Sequence, residues 1–194
     1  MIKKILLSSL LTSTLFCNTI DIYRGNIIDS DLLNIVSFQN SKKDIDKTVN
    51  MISIGYYHDL TNIDFLFNKN IIVQAGVNGS VHNVSTNTYE GNVMIKFVLE
   101  KVIDNFYNFN LNLGFAEGLS YTTGNIDYED GSTNSPDDKY HFQNYLQFDV
   151  NIDNNLYPDY SIFFRIHHRS GVYGIIAPPK VGSNFVGLGL SYKL

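Results

Sequence analysis

Ser170 and His168 stand two residues apart near the end of the chain, and Asn184 opens the apolar run that follows. A serine hydroxyl becomes a nucleophile when an imidazole takes its proton, and that imidazole works best when a third group orients it. These three residue types are the parts of nucleophilic acyl transfer. Asn184 fits the orienting role, because an amide holds a histidine tautomer, but it brings no charge to set against an imidazolium. Glu117 is the second-line acid. The bland reading is an interfacial polar pair at the end of a strand. His58, His82 and His141 lack metal-ligand spacing, so neither a metal nor a cofactor is implied.

The elements that must position these residues show a period of two from about residue 49 onward, which is the strand signal. Phe109, Leu111, Leu113 and Phe115 alternate with Asn108, Asn110, Asn112 and Gly114. Phe142, Leu146, Phe148, Val150 and Ile152 alternate with Gln143, Tyr145, Gln147, Asp149 and Asn151. Val186, Leu188, Leu190, Tyr192 and Leu194 alternate with glycines, Ser191 and Lys193. Runs of about ten residues, apolar on one face and rich in Asn, Gln, Asp and Arg on the other, suit tilted strands between lipid and a packed lumen. A soluble β-sandwich that binds an apolar ligand also alternates. The closing run, with Gly189, Tyr192 and Leu194, is spaced like the C-terminal assembly signal of bacterial outer-membrane barrels, although it ends in Leu where many end in Phe.

The fold expected is all-β: an eight-stranded antiparallel up-and-down transmembrane β-barrel. Its strands are placed near 31–38, 49–58, 70–82, 90–99, 105–117, 140–152, 160–170 and 184–194. Ile63 to Phe67 makes a ninth or extends a neighbour, and even strand numbers favour eight. The turn at 153–159 is short, whereas 118–139, with Asp127, Glu129, Asp130, Asp137 and Asp138, is a long outer loop. Parity then turns His168, Ser170 and Asn184 to the lipid side at the outer rim, with Asn144 and Glu117 on the same face. His167 and Arg165 point inward, Arg165 toward Asp149 or another acid. Arg169 is expected at the rim, either meeting lipid phosphates or solvated, and Glu90 and Glu100 in solvent. Gly171 and Gly174 supply oxyanion donors or permit tight turning.

Composition narrows the class further. Lys+Arg number 14 against 19 Asp+Glu, for a formal charge of −5. An acidic chain without basic clusters excludes nucleic acid as a partner. Charged residues make up 17%, against about 25% in soluble domains. Residues 1–17 read as a signal peptide: Lys3 and Lys4 precede an apolar stretch from Ile5 to Phe16, with cleavage after Cys17. Phe16 is too bulky for the lipoprotein alternative, which would anchor Cys17 to lipid. Residues 18–194 then form one exported barrel domain without cysteine.

The run Arg165-Ile166-His167-His168-Arg169-Ser170, then Gly182-Ser183-Asn184 and a closing strand, resembles the end of the outer-membrane lipid A 3-O-deacylase (PagL-type) family. The likeness covers about the last 35 residues, and the rest only as a barrel pattern. It implies an eight-stranded barrel whose membrane-facing Ser-His-Glu triad hydrolyses an ester-linked acyl chain of lipid A. Ser170 would be the nucleophile, His168 the general base, and lipid A of the outer-leaflet lipopolysaccharide the partner. The chain departs from the family at Asn184, where the acid should stand. A catalytically inactive small barrel with a structural or surface-interaction role is the alternative that this departure supports.

Overall fold

The computed structural model describes residues 18–37, 39, 45–65, 69–83, 88–124, 140–172, 175–176 and 181–194. The leader expected at 1–17, the acidic stretch 125–139 and Gly174 lie outside them. Eight antiparallel strands close in chain order: β1 (Asn18–Ile28), β2 (Ile45–Phe65), β3 (Lys69–Asn83), β4 (Thr88–Phe106), β5 (Phe109–Thr122), β6 (Phe142–Asn154), β7 (Tyr157–Ser170) and β8 (Gly182–Lys193). The expected eight-stranded up-and-down barrel is the fold observed. Closure satisfies the backbone of every strand on both sides, which a sheet in hydrocarbon requires.

Alternation decides which face is which. Along β4, Val93, Ile95 and Phe97 are exposed outward while Asn92, Met94 and Lys96 are buried in the lumen. Leu188, Leu190 and Tyr192 of β8 likewise face out. So much apolar surface in water would forfeit about 25 cal/mol per Å², whereas lipid accepts it.

The lumen is held by paired charge. Arg165 donates from Nε to Asp149 at 2.8 Å and from Nη2 to Asp21 at 2.6 Å, and Lys96 reaches Asp149 at 2.7 Å. The same guanidinium lies 4.4 Å from the Phe163 ring centroid. Buried charges need partners of this kind. Nearer the outer end, Glu90 accepts from Ser120 Oγ (2.9 Å) and meets His82 Nε2 (2.5 Å) and His167 Nε2 (3.0 Å). Arg169 Nε, buried beside them, donates to Ser120 Oγ at 2.8 Å. The inward pairing expected for Arg165 and His167 is therefore observed. Two expectations are corrected: Arg169 is not at the rim and Glu90 is not in solvent. Both share the parity of inward neighbours, and their mutual pairing lets them leave water.

The first strand also differs from expectation. Residues 18–28, not 31–38, pair with both β2 and β8. Leu32–Val36 instead form a short helix, α1. Its Ile35 packs with Ile28 of β1 and Ile166 of β7, and Leu32, Phe148 and Val186 border them. Ile166, Phe148 and Val186 belong to one outward row across β6, β7 and β8. The connection after β1 thus folds back onto the barrel exterior. Ile63 extends β2, which runs to Phe65.

At the end that holds both Asn18 and Leu194, two residues each connect β4 to β5 and β6 to β7. Tyr107 and Asn108 both have positive φ (50° and 66°), the pattern of a two-residue hairpin turn, where Asn is favoured. β5 continues to Thr122, so the long outer connection starts later than expected, at 123. The seam between β1 and β8 depends on glycine. A Cβ on Gly187 would lie 2.0 Å from the Arg24 carbonyl oxygen, and one on Gly189 would lie 2.5 Å from the Ile22 carbonyl oxygen.

Candidate active site on the barrel exterior

β7 delivers two kinds of side chain from one end. His167 and Arg169 turn into the lumen and are buried, while His168 and Ser170 turn outward and are half-buried. His168 is paired across the ladder with Asn184 of β8, and Ser170 with Gly182. On the other side, Ser170 faces Asn144 of β6 and His168 faces Leu146. Outward polar side chains are tolerated here because the rim adjoins the interface, where their cost falls to about 0–1 kcal/mol.

A directed pair of hydrogen bonds links these residues to the exterior helix segment. Asn184 Nδ2 donates to the Ser30 carbonyl at 2.8 Å, and Asn184 Oδ1 lies 2.7 Å from His168 Nδ1. A carbonyl oxygen only accepts, so the amide NH₂ must face Ser30 and its oxygen must face the imidazole. His168 therefore donates from Nδ1, and in the neutral ring Nε2 keeps its lone pair. An imidazole in this tautomer is ready to accept a proton at Nε2.

Ser170 lies on the same face as His168, about 6.6–6.8 Å along the strand. Among the described residues no hydrogen bond joins its hydroxyl to the ring; catalytic contacts in unliganded sites are often long. Glu117 faces outward and is exposed, in one row with Leu146 and His168. Leu146 stands between them, two strand spacings or about 10 Å, and His168 Nδ1 already has Asn184. Glu117 and His168 are not brought together. The Gly171 N–H donates to the Val181 carbonyl at 3.1 Å, so it is already engaged and is not a ready oxyanion donor. Asn144, directly across from Ser170, carries a side-chain amide on the same outward face.

Sequence reasoning missed the Ser30 carbonyl. It is a main-chain atom on a connection, and no residue type announces it. It also missed a second exterior pair at the opposite rim, where His58 Nδ1 lies 2.7 Å from Asn18 Oδ1. Strand parity in β1 and β2 would have found it once β1 was placed.

The sequence matches no protein-family model and no curated protein. Among solved structures, the crystal structure of the outer-membrane enzyme PagL superposes with a TM-score of 0.63 at 10% identity, covering 91% of this chain and 99% of that one. The Yersinia pestis attachment invasion locus protein Ail superposes with a TM-score of 0.43 at 13% identity, over 92% and 99% of the two chains. At such identities the likeness to PagL is one of fold. With its apolar exterior and its polar, charge-paired lumen, the chain is a small β-barrel of the bacterial outer membrane.

Proposed function

We propose that this barrel is an esterase that removes an ester-linked acyl chain from lipid A, with Ser170 as nucleophile and His168 as general base. The observation that carries the reading is the outward Ser170–His168 face, with His168 held by Asn184 in the tautomer a base needs. Substrate in the outer leaflet reaches this face laterally, without entering the lumen. Ser170 Oγ adds to the ester carbonyl as His168 Nε2 takes its proton. The C–O bond to the sugar then breaks, and His168 returns the proton to the leaving alkoxide. Water, activated by the same nitrogen, splits the acyl-enzyme and frees the fatty acid. Asn144, across the ladder from Ser170, would donate to the carbonyl oxygen as charge develops there. No cofactor enters the scheme. Export by the 1–17 leader, leaving 18–194 as the mature domain, belongs to the same reading.

A second reading, a catalytically silent barrel with a structural or surface-interaction role, is favoured by one observation. No carboxylate contacts His168 among the described residues. Lipid A mass spectra from cells carrying the wild-type gene or Ser170→Ala decide between the two. A deacylated species seen only with the wild type, with heat-modifiable gel migration intact in both, supports the esterase. Identical spectra favour the silent barrel.

A further inference from the structure

We infer that the connection after β1 is a positioning element for the general base: the Ser30 carbonyl, set in place by α1 docked on the barrel exterior, selects the tautomer of His168 through Asn184. The inference rests on the esterase reading for its consequence in rate, but its structural content stands apart from it.

An asparagine amide presents two faces of similar shape and opposite hydrogen-bonding sense. Left to itself at position 184 it would turn either oxygen or NH₂ toward the ring. The NH₂ orientation calls for a lone pair on His168 Nδ1, which places the proton on Nε2 and removes the base. The Ser30 carbonyl breaks this symmetry, since at 2.8 Å it accepts only from Nδ2. Its place is set by the apolar contact of Ile35 with Ile28 and Ile166, one row below the His168–Asn184 row. The side of α1 away from this contact carries exposed Leu33 and Val36, so the helix itself lies in the apolar layer.

The same contact accounts for the missing acid. A carboxylate at 184 would bring an acceptor against the Ser30 carbonyl, with no hydrogen to share. Where α1 docks, the orienting residue has to be a donor on one side and an acceptor on the other. Asparagine is both. Ser30 and Ile35 are positioning residues, not catalytic ones, because they act only through Asn184.

The test uses the full-length barrel refolded in detergent micelles, with histidine ring nitrogens labelled and the His168 signals assigned by their loss in His168→Gln. The wild type should show a protonated Nδ1 and an unprotonated Nε2. Ile35→Ser should shift a substantial share to the other tautomer, whereas Leu33→Ser, on the exposed side, should not. With lipid A in mixed micelles, Ile35→Ser should lower kcat by roughly tenfold and leave KM within about twofold, the pattern of a base in the wrong state. Asn184→Asp should lower kcat in the wild-type background but raise it in the Ile35→Ser background, where no carbonyl opposes the carboxylate. Heat-modifiable migration establishes that each variant is folded. A wild-type Nε2–H tautomer, ring signals unmoved by Ile35→Ser, or a gain from Asn184→Asp with α1 docked would each overturn the inference. If the wild type fails to hydrolyse lipid A, the esterase reading falls, and the ring nitrogens still decide whether Ser30 sets the tautomer.

Discussion

Among the described residues two histidine–asparagine pairs stand on the outer surface of this barrel, one at each rim. His168 with Asn184 and His58 with Asn18 share the same atoms, the same 2.7 Å separation and the same cross-strand placement. A His–Asn contact at the edge of the apolar band is thus something this sheet makes twice, and by itself it says nothing of catalysis. The difference lies in the company. Two residues beyond His168 is Ser170, whereas two residues beyond His58 is Leu60. The upper asparagine is tied to the Ser30 carbonyl, and a further amide, Asn144, flanks the serine. Serine, imidazole and a flanking amide, the parts the proposed esterase needs, coincide only at the upper rim among the described residues.

The same substitution at both histidines separates the two rims most strongly. His168→Gln should reduce lipid A hydrolysis by about 10²- to 10⁴-fold, the range of a lost general base. His58→Gln should leave the rate within about twofold, and equal losses in initial rates measured on refolded protein would erase the distinction drawn here. Asn144→Ala comes next, with an expected fall of about 10²- to 10³-fold in kcat and little change in KM, as for a missing oxyanion donor. A change confined to KM would instead make Asn144 a binding contact. Smallest of all is Glu117→Gln. With Leu146 between Glu117 and His168, its effect on kcat should stay within about twofold. A large loss would show that the carboxylate reaches the ring when substrate is bound, and would return it to the catalytic set.

The inner layer offers another contrast. His167 has a carboxylate at 3.0 Å and Ser120 bonded to that same carboxylate, a fuller set of triad residue types than His168 possesses. All three are buried in the lumen, and Ser120 donates to the Glu90 carboxylate rather than to the imidazole. Residue type without access is structure. The same alternation along β7 that gives His168 to the membrane gives His167 to the packing of the interior.

Much of this was legible in the sequence because a strand between lipid and a packed lumen must alternate. The outward face of Ser170 and His168 follows from Ile162, Phe164 and Ile166 by counting in twos. β1 escaped because its alternation is scrambled: Arg24 and Asn26 sit on the outward face, while Tyr23 and Ile27 fill the lumen. Leu32, Leu33, Ile35 and Val36 were open to a strand reading, yet 32 and 35 lie one helical turn apart and share the face that packs on the barrel. Arg169 had inward parity all along. A charge at a strand end is ordinarily solvated, and only the fold reveals that Ser120 and Glu90 wait opposite it. Partners that meet across the lumen, such as Glu90 and His167, leave no local trace in the chain.

The seam between β1 and β8 also governs completion of the barrel. Strand β8 zips onto β1 from Ile27–Phe185 down to Thr19–Lys193, and Leu194 N–H donates to the Asn18 carbonyl at 2.8 Å. A polypeptide interrupted before Gly182 would hold two bare margins that nothing within it can cover. The closed cylinder, and with it the upper-rim surface that β8 completes through Asn184, needs that last strand, so a copy without it lacks this surface altogether rather than holding a weakened version of it.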